Sequence, residues 1–405
     1  MNNTSIPARS TLTLDIVNGD LEIGKHVTVK GTGSPPTVRV DGAIYCEGHN
    51  TFECNLSAKE LNAEDSVTVQ GDLEIAGDIE VEDGRLEVFG KLTARDIDVD
   101  NGVYVNKDLT ADEIEVGGNL RVDGNTRVED IEVGGTFETQ GEVTADTIEV
   151  GGRLSIASKV DIKSLDVGGT ATVAGGRIRE IDVGGTFQSK GPLEFEEIDV
   201  GGTVELSGKS KGGDIEVGGL LKADGDLEFE QIDVGGKVEM KGLAQGSDME
   251  VGGTVDIDGS IKLEETLEVG GRVDVSAEIV ARNIEIGGAL RARKVTAEEQ
   301  VEVGGSINTG EGVTARSVEI ANGGKVQGPI RAEEIAVGRH AEVEDLYGKS
   351  IVLGNGATAN NVYGEEVVIE SHCRVNGELQ YTDELRQGGD ISFAQPPKKV
   401  TSLPT

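Results

Sequence analysis

Residues 131–147 read IEVGGTFETQGEVTADT, and near-copies of this stretch recur along most of the 405-residue chain. Twelve copies of its Ile/Leu–Glu/Asp–Val–Gly–Gly element begin at Ile114, Ile131, Ile148, Leu165, Ile181, Ile198, Ile215, Ile232, Met249, Leu267, Ile284 and Val301. Degenerate copies continue the series to Ile335, and the average step along it is about 17 residues. A repeat of this length indicates an array of stacked units, each too small to bury its apolar face alone.

Within one copy, apolar and polar residues alternate, so that Ile131 and Val133 share a face. Alternation with period two predicts short strands with one buried face. Gly134, Gly135 and Gly141 interrupt it and are predicted corners, where glycine takes a positive φ or lets neighbouring backbones approach closely. The sequence therefore predicts an all-β, single-stranded β-helix (β-solenoid) with three short strands per ~17-residue coil and about 20–22 coils. Its handedness stays open.

The composition fits a thin aliphatic core. The chain has 60 Gly, no Trp, seven Phe and five Tyr. A compact domain of this length would bury many more aromatic side chains, whereas a core one side chain deep suits Val, Ile, Leu and Ala. Glycine at this frequency without a Gly-X-Y period is not typical of collagen.

The register of the repeat divides the chain into four parts. Residues 1–10 are predicted to be a disordered N-terminus, and residues 11–78 irregular opening coils with a loop near 31–37, where the sequence reads GSPP. Residues 79–386 are predicted to form the regular solenoid. Residues 387–405 are predicted to be a mostly disordered C-terminal tail.

The charge limits the partners. The formal net charge is −38, from 75 acidic and 37 basic residues. Nucleic acid is not an expected partner, because phosphate binding needs basic clusters. An anionic membrane should repel the chain, so membrane association is expected only weakly or through another protein. With no secretory signal pattern and no apolar run long enough to span a membrane, the expected location is the cytoplasm.

One outward position carries the same charge in coil after coil. The residue between the two inward aliphatic residues is acidic in thirteen successive copies: Glu115, Glu132, Glu149, Asp166, Asp182, Asp199, Glu216, Asp233, Glu250, Glu268, Glu285, Glu302 and Glu319. Stacking would set like charges opposite one another, at a cost of about 0.8 kcal/mol per pair at about 5 Å in water before screening. This acidic surface ladder is either a solubilising face, compatible with a halophilic cytoplasm, or a track for cations or a basic partner.

Three features were candidates for chemistry. Cys46, His49 and Cys54 supply three of the four ligands that zinc needs, at an awkward spacing, and small buried cysteines explain them better. The four histidines lack both a companion motif and the hexapeptide pattern of β-helix acyltransferases: His26, His49, His340 and His372. The paired glycines match no phosphate loop. The sequence predicts no catalytic, metal or cofactor site.

The ends of a solenoid expose unpaired strand edges that can template another chain. No helical pattern able to cap either end is visible, which predicts stacking end to end. Tyr347, Tyr363 and Tyr381 recur once in each of the last coils and should form one column, either at an interface or packing a wider final segment. With Val367 and Ile369 they are the predicted polymerisation end.

The repeat, the missing enzymatic motifs and the uncapped ends resemble the bactofilins, polymer-forming cytoskeletal proteins of bacteria, most of all over residues 337–385. The acidic, extended solenoid is similar to the halofilins of salt-loving archaea. The resemblance implies a solenoid whose subunits join end to end, as a homopolymer, into non-polar, nucleotide-independent filaments that influence cell shape. The expected setting is cytoskeletal and near the cell membrane. Two departures are the many more coils and an N-terminus that lacks the apolar anchor of some bactofilins.

The sequence therefore favours a cytoskeletal filament protein that is not an enzyme. A passive surface or cell-envelope β-helix protein, such as an adhesin or scaffold, is the alternative. A β-helix enzyme ranks third, because the nearly constant spacing of the repeat from Ile97 onward leaves little room for the long loops that would line a groove.

Overall fold

The computed structural model describes residues 3–404. These residues form 55 β-strands and no helix, and the strands stack in parallel about 17 residues apart in a β-solenoid of about 23 turns. The predicted all-β solenoid is confirmed. The described residues contain no helix capable of spanning a membrane. The chain divides into two compact units, residues 1–201 and 202–405, which are described separately.

Unit 1 contains strands β1–β29, in order Thr4–Ile6, Thr11–Leu14, Ile16–Val17, Leu21–Ile23, Thr28–Gly31, Thr37–Val40, Ala43–Cys46, Asn50–Glu53, Asn55–Ala58, Glu60–Ala63, Val67–Val69, Leu73–Ile75, Ile79–Val81, Arg85–Val88, Leu92–Thr93, Asp96–Val99, Gly102–Val105, Leu109–Val116, Asn119–Val122, Thr126–Val133, Thr136–Thr139, Val143–Val150, Arg153–Ile156, Val160–Val167, Thr170–Val173, Gly176–Val183, Thr186–Ser189, Leu193–Glu194 and Glu197–Val200.

Unit 2 contains strands β30–β55, in order Thr203–Ser207, Ser210–Lys211, Asp214–Val217, Leu220–Asp224, Leu227–Glu228, Gln231–Val234, Lys237–Gly246, Asp248–Val251, Thr254–Leu263, Thr266–Val269, Arg272–Val275, Glu278–Ile286, Ala289–Ala292, Lys294–Val303, Ser306–Thr309, Val313–Ile320, Lys325–Gln327, Ile330–Val337, Glu342–Val343, Leu346–Leu353, Thr358–Ala359, Val362–Ile369, Arg374–Val375, Leu379–Gln387, Ser392–Phe393 and Lys398–Lys399.

Each coil has three sides, which we name in chain order. The ladder side carries the Ile–Glu–Val strand, the second side follows the double glycine, and the third side leads back to the ladder side of the next coil. In β20 (Thr126–Val133) the third side and the ladder side form one eight-residue strand that turns the corner without a break. Its buried residues are Thr126, Val128, Ile131 and Val133, so the predicted alternation decides which side chains enter the core.

The core in both units is a thin column of Val, Ile, Leu and Ala. Phe52, Phe137 and Phe187 are completely buried, which shows that a coil can hold one aromatic ring where its neighbours supply smaller side chains. In unit 1, for example, Phe137 lies opposite Leu120 and Leu154. Stacking of this kind stabilises every coil through its two neighbours.

Close approach of neighbouring coils explains why the corners of the repeat contain two glycines. Neither Gly134 nor Gly135 has a φ in the left-handed region, and a Cβ on them would lie well within 3.0 Å of Gly117 O and Gly118 O, respectively. Any side chain would therefore collide with the backbone of the preceding coil. Of the two reasons the sequence allowed for these glycines, close approach is the one that applies.

Both ends of the chain contain more strand than the sequence predicted. Thr4–Ile6 in β1 pairs with Leu21–Ile23 in β4, and Ile6 is buried, so these residues are ordered where residues 1–10 were predicted to be disordered. The chain leaves the pattern only briefly, between β5 and β6, where the Ser34–Pro35 peptide is cis.

At the other end, Ser392–Phe393 pairs with Arg374–Val375, and Lys398–Lys399 pairs with Gln380–Tyr381. Two short strands therefore lie within residues 387–405, the stretch that the sequence predicted to be mostly disordered, and residue 405 lies outside the described residues. Single apolar residues such as Phe393 are enough to continue the inward period, although the local sequence looks irregular. The extra coils at the two ends bring the number of turns above the predicted 20–22.

Candidate functional site: an acidic ladder and two open ends

The acidic ladder of unit 1 is in strict register. Neighbouring carboxylates lie directly opposite one another in the pairs Glu115–Glu132, Glu132–Glu149, Glu149–Asp166, Asp166–Asp182 and Asp182–Asp199. The register extends the ladder to Asp98 and Glu80, which the sequence analysis did not include. Both sit in the same Ile–acid–Val pattern, but no double glycine follows it.

The ladder of unit 2 is equally regular and ends within the unit. Its pairs are Glu216–Asp233, Asp233–Glu250, Glu250–Glu268, Glu268–Glu285, Glu285–Glu302 and Glu302–Glu319. Beyond Glu319 the same outward position is occupied by Ala336, Val352 and Val368, and finally by Arg386. The acidic strip thus gives way to an exposed aliphatic one over the last coils, where Val352 is 36% exposed.

No ladder carboxylate forms an ion pair with any residue between 3 and 404. The corner column three positions earlier behaves in the opposite way. There Lys163 Nζ lies 2.6 Å from Asp146 Oδ2, one coil away, and Arg316 Nη1 lies 3.0 Å from Glu299 Oε2. In unit 2 this column alternates in sign over Glu265, Arg282, Glu299, Arg316, Glu333 and Lys349, whereas the ladder itself contains no cation up to Glu319.

The repulsion within the ladder has a measurable signature at Glu115. The neighbouring carboxylates Asp98 and Glu132 raise the pKa of Glu115 above its ordinary value. A raised carboxylate pKa means that the folded state holds this group in its charged form at a cost. At Glu115, strands about 4.8 Å apart therefore hold like charges in line at a cost.

The four histidines occupy one kind of corner, between the ladder side and the second side, at the two ends of the chain. His26, His49, His340 and His372 all have φ between 51° and 64°. In unit 1 the rings of His26 and His49 stack with centroids 4.9 Å apart, and His49 Nε2 lies 3.2 Å from Asp65 Oδ2. All four are therefore corner residues of the solenoid.

The cysteines point into the core. Cys46 and Cys54 are buried and free, and burial raises the pKa of the Cys46 thiol to about 12 and that of Cys54 to about 11. His49, in contrast, is exposed on the outside of its corner. The structure therefore does not bring Cys46, His49 and Cys54 together as a ligand set.

The tyrosine column contains two members instead of three. Tyr347 lies opposite Tyr363 with ring centroids 5.1 Å apart, and Arg331 Cζ lies 4.6 Å from the Tyr347 ring. Tyr381 lies opposite Gly364, because one extra residue precedes the next ladder strand. Tyr381 thus shares the inward register of Gly364 and leaves the outward column to Gln380.

Val367 and Ile369, which the sequence placed at the polymerisation end, do not lie in the outermost coil of the described residues. Val367 and Ile369 are each 1% exposed because β53 (Leu379–Gln387) covers them. Leu385 and Gln387 lie directly opposite these two residues and form the outer strand of the ladder side. At the other end, β1 (Thr4–Ile6) holds the corresponding outer position.

Within residues 3–404, both outer strands carry backbone groups that bond to no neighbouring coil. Thr4 N–H donates to Asp20 O at 2.9 Å and Gly24 N–H donates to Ile6 O at 2.9 Å, so Thr4 and Ile6 bond to the next coil. In a parallel ladder alternate residues bond to opposite neighbours. The N–H and C=O of Ser5 therefore face the open edge of the first coil.

Comparison with protein-family models, with curated proteins and with solved structures found no match.

Proposed function

We propose that this chain is a structural protein that polymerises end to end into nucleotide-independent filaments. The observation that carries the proposal is the pair of open strand edges, at β1 and at the final coil. An unpaired edge of parallel strands is a template for a further strand, and each of the three sides of the end coil offers one. No helix in the described residues covers either edge.

The distribution of charge favours contact through the ends over contact through the sides. The first coil carries Arg9 against Asp15 and Asp20, and the last carries three cations against Asp383, Glu384 and Asp390. Both are nearly neutral in a chain of net charge −38. Side-by-side approach of two ladder sides would instead set two unpaired carboxylate columns against one another, which is unfavourable outside high salt.

The resemblance to bactofilins and halofilins supports the same reading and suggests a cytoskeletal, cytoplasmic setting in which filaments influence cell shape. Fractionation of the native host tests the location. Recovery in the envelope fraction would favour the alternative of a passive surface or cell-envelope scaffold.

Electron microscopy of the purified full chain tests polymerisation. At low to moderate salt, where the ladders still repel side-by-side contact, we expect filaments one solenoid wide. Leu385→Asp places a charge on the outer strand of the last coil and should leave monomers. Thr296→Asp adds the same charge to the outward face of the third side and should leave the filaments intact. Wild-type protein that stays monomeric at all salt concentrations would refute the proposal.

A further inference from the structure

The corners between the ladder side and the second side come in two forms. In the repeat they contain two glycines, as between Val133 and Thr136. In the first and last coils they contain four residues, as in Pro7–Ser10 and Gly388–Ile391, and the third of the four has a left-handed backbone. These left-handed residues include Arg9 with φ 58° and Asp390 with φ 57°.

The four-residue corners bond to one another in a fixed direction. In each case the N–H of the left-handed residue donates to a carbonyl in the following coil. The acceptor is the residue immediately before the left-handed residue of that following coil. Arg9 N–H donates to Lys25 O at 2.9 Å and His26 N–H to Gly48 O at 3.0 Å in unit 1. In unit 2, His340 N–H donates to Asn355 O at 2.9 Å and His372 N–H to Gly389 O at 3.0 Å.

Among residues 3–404, this chain of bonds ends in two complementary groups. Within residues 3–404, Asp390 N–H has no backbone acceptor and Ala8 O has no backbone donor. Asp390 is the last left-handed corner residue, and Ala8 directly precedes the first one. A further coil added after Asp390 would have to supply a carbonyl in the position that Ala8 occupies in its own corner.

The outer strands are complementary in the same sense. Gly388 N–H donates to Ile369 O at 2.8 Å, which places the backbone groups of Arg386 on β53 towards the preceding coil. Because alternate residues bond to opposite neighbours in a parallel ladder, the N–H and C=O of Leu385 and Gln387 face the open edge. At the first coil the open residue is Ser5. In a parallel continuation, Ser5 aligns with Arg386 and can bond to Leu385 and Gln387.

We infer that copies of this chain join head to tail, with the last coil of one copy against the first coil of the next. The inference rests on the proposed end-to-end assembly and assigns its polarity. The contact continues every parallel strand, bonds Asp390 N–H to Ala8 O of the next copy, and brings the Asp390 carboxylate near Arg9 of that copy. The Asp390 side chain is 85% exposed, and its Oδ2 lies 3.7 Å from His372 Nε2.

Such a contact is heterologous and does not close on itself, so it produces an open, polar filament. This differs from the non-polar filament that the bactofilin resemblance implies. In a non-polar filament, last coils meet last coils. A contact between the last corners of two copies would place the Asp390 N–H of one copy against the Asp390 N–H of the other, and likewise their carboxylates.

End-blocked variants separate the two arrangements. Ser5→Pro blocks the first coil, because Ser5 N–H takes part in no bond within the solenoid, and Leu385→Asp blocks the last coil. Mass photometry at a concentration where wild type polymerises should show each variant alone as a monomer and their mixture as a one-to-one dimer. Dimers of either variant alone, or a mixture that stays monomeric, would overturn the head-to-tail inference.

Failure of the proposed function is distinct, since wild type itself would then form no filaments. Circular dichroism and melting confirm that each variant is folded.

Charge reversal gives an independent test that leaves the strands unchanged. Arg9→Asp or Asp390→Arg alone should raise the critical concentration for polymerisation about tenfold, because the pair becomes like-charged. The double variant restores opposite charges and should return within about threefold of wild type. Additive losses in the double variant would contradict the contact between these two residues.

Discussion

The double-glycine coils and the coils at the two ends of the chain turn the same corner by different means. In the repeat, a corner of two residues leaves no space for a Cβ, as at Gly135. At the ends, a corner of four residues carries a side chain on a left-handed backbone, as at His26 and His372. The repeat corner keeps the coils identical, whereas the end corner has side chains and directed hydrogen bonds that another molecule can use.

The outward column of the ladder side changes between the same two regions. In the repeat of unit 2 it is acidic and unpaired up to Glu319, and in the last coils it becomes Ala336, Val352, Val368 and Arg386. In this column, carboxylates that face one another are therefore confined to the coils up to Glu319.

The largest expected effect is on the free energy of unfolding, when a charge is placed in the covered coil and compared with a charge in the outermost coil. Val367→Asp places an unpaired charge at a position that is 1% exposed and should lower the free energy of unfolding by about 4 kcal/mol. Leu385→Asp, one coil further out and half-buried, should cost less than about 1 kcal/mol. Urea unfolding measures both. Equal losses would mean that the solenoid does not end where the structure places its outer strand.

The next effect tests the two kinds of corner. Gly253→Ala puts a Cβ against Gly236 O, well within 3.0 Å, and should cost about 2 kcal/mol, because backbone must move. Gly323 has φ +73° and nothing within 4 Å of its Cβ position, so Gly323→Asn should change stability by less than about 0.5 kcal/mol. Thermal melting of the two variants compares close approach with backbone conformation. A similar loss of stability at both sites would show that the two kinds of corner do not differ in their need for glycine.

A smaller effect tests the ladder. Glu132→Lys places a cation between Glu115 and Glu149 and should raise stability by about 1 kcal/mol in low salt. Ala336→Glu extends the ladder by one coil beyond Glu319 and should lower stability by about 0.5 kcal/mol. Both changes should vanish in multimolar KCl. Persistence of either effect in high salt would show that its origin is packing and not charge.

The smallest effect is a dependence on pH with opposite signs in the two regions. The pKa of Glu115 is raised by Asp98 and Glu132, so the folded state holds this proton more tightly than the unfolded chain. The cost is present at neutral pH and disappears as pH falls towards the unfolded value, so acidification stabilises the ladder. Melting in low salt between pH 8 and pH 4 should show a rise that Glu115→Gln reduces.

Asp65, beside His49 in an end corner, has the opposite sign. A hydrogen bond from Ser66 N–H lowers the pKa of Asp65, so its stabilisation is present above the unfolded pKa and is lost as pH falls through the folded one. Asp65→Asn should therefore remove part of the acid sensitivity below about pH 4. If both variants shifted the melting curve in the same direction, the two regions would not differ electrostatically.

Some of the candidate site could be predicted from the sequence because it depends on period alone. The ladder residues from Glu115 to Glu319 follow from the Ile–acid–Val pattern, since alternation determines which side chains point outward. Tyr381 could not be placed in this way, because one extra residue in front of the last ladder strand shifts the register. Strands β54 and β55 were missed because single apolar residues such as Phe393 give no local apolar pattern.

The sequence by itself determined the fold of the coil and the face on which its charges lie, because a 17-residue period with internal alternation leaves one economical arrangement of buried side chains. Only the tertiary structure decided where the stack ends, why the glycines are needed and which backbone groups remain open. Those properties depend on contacts between residues in successive coils, and hydrogen-bond direction at a corner has no signature in residue type. The 17-residue repeat determines the solenoid fold, whereas the irregular first and last coils determine which backbone groups are available to another copy.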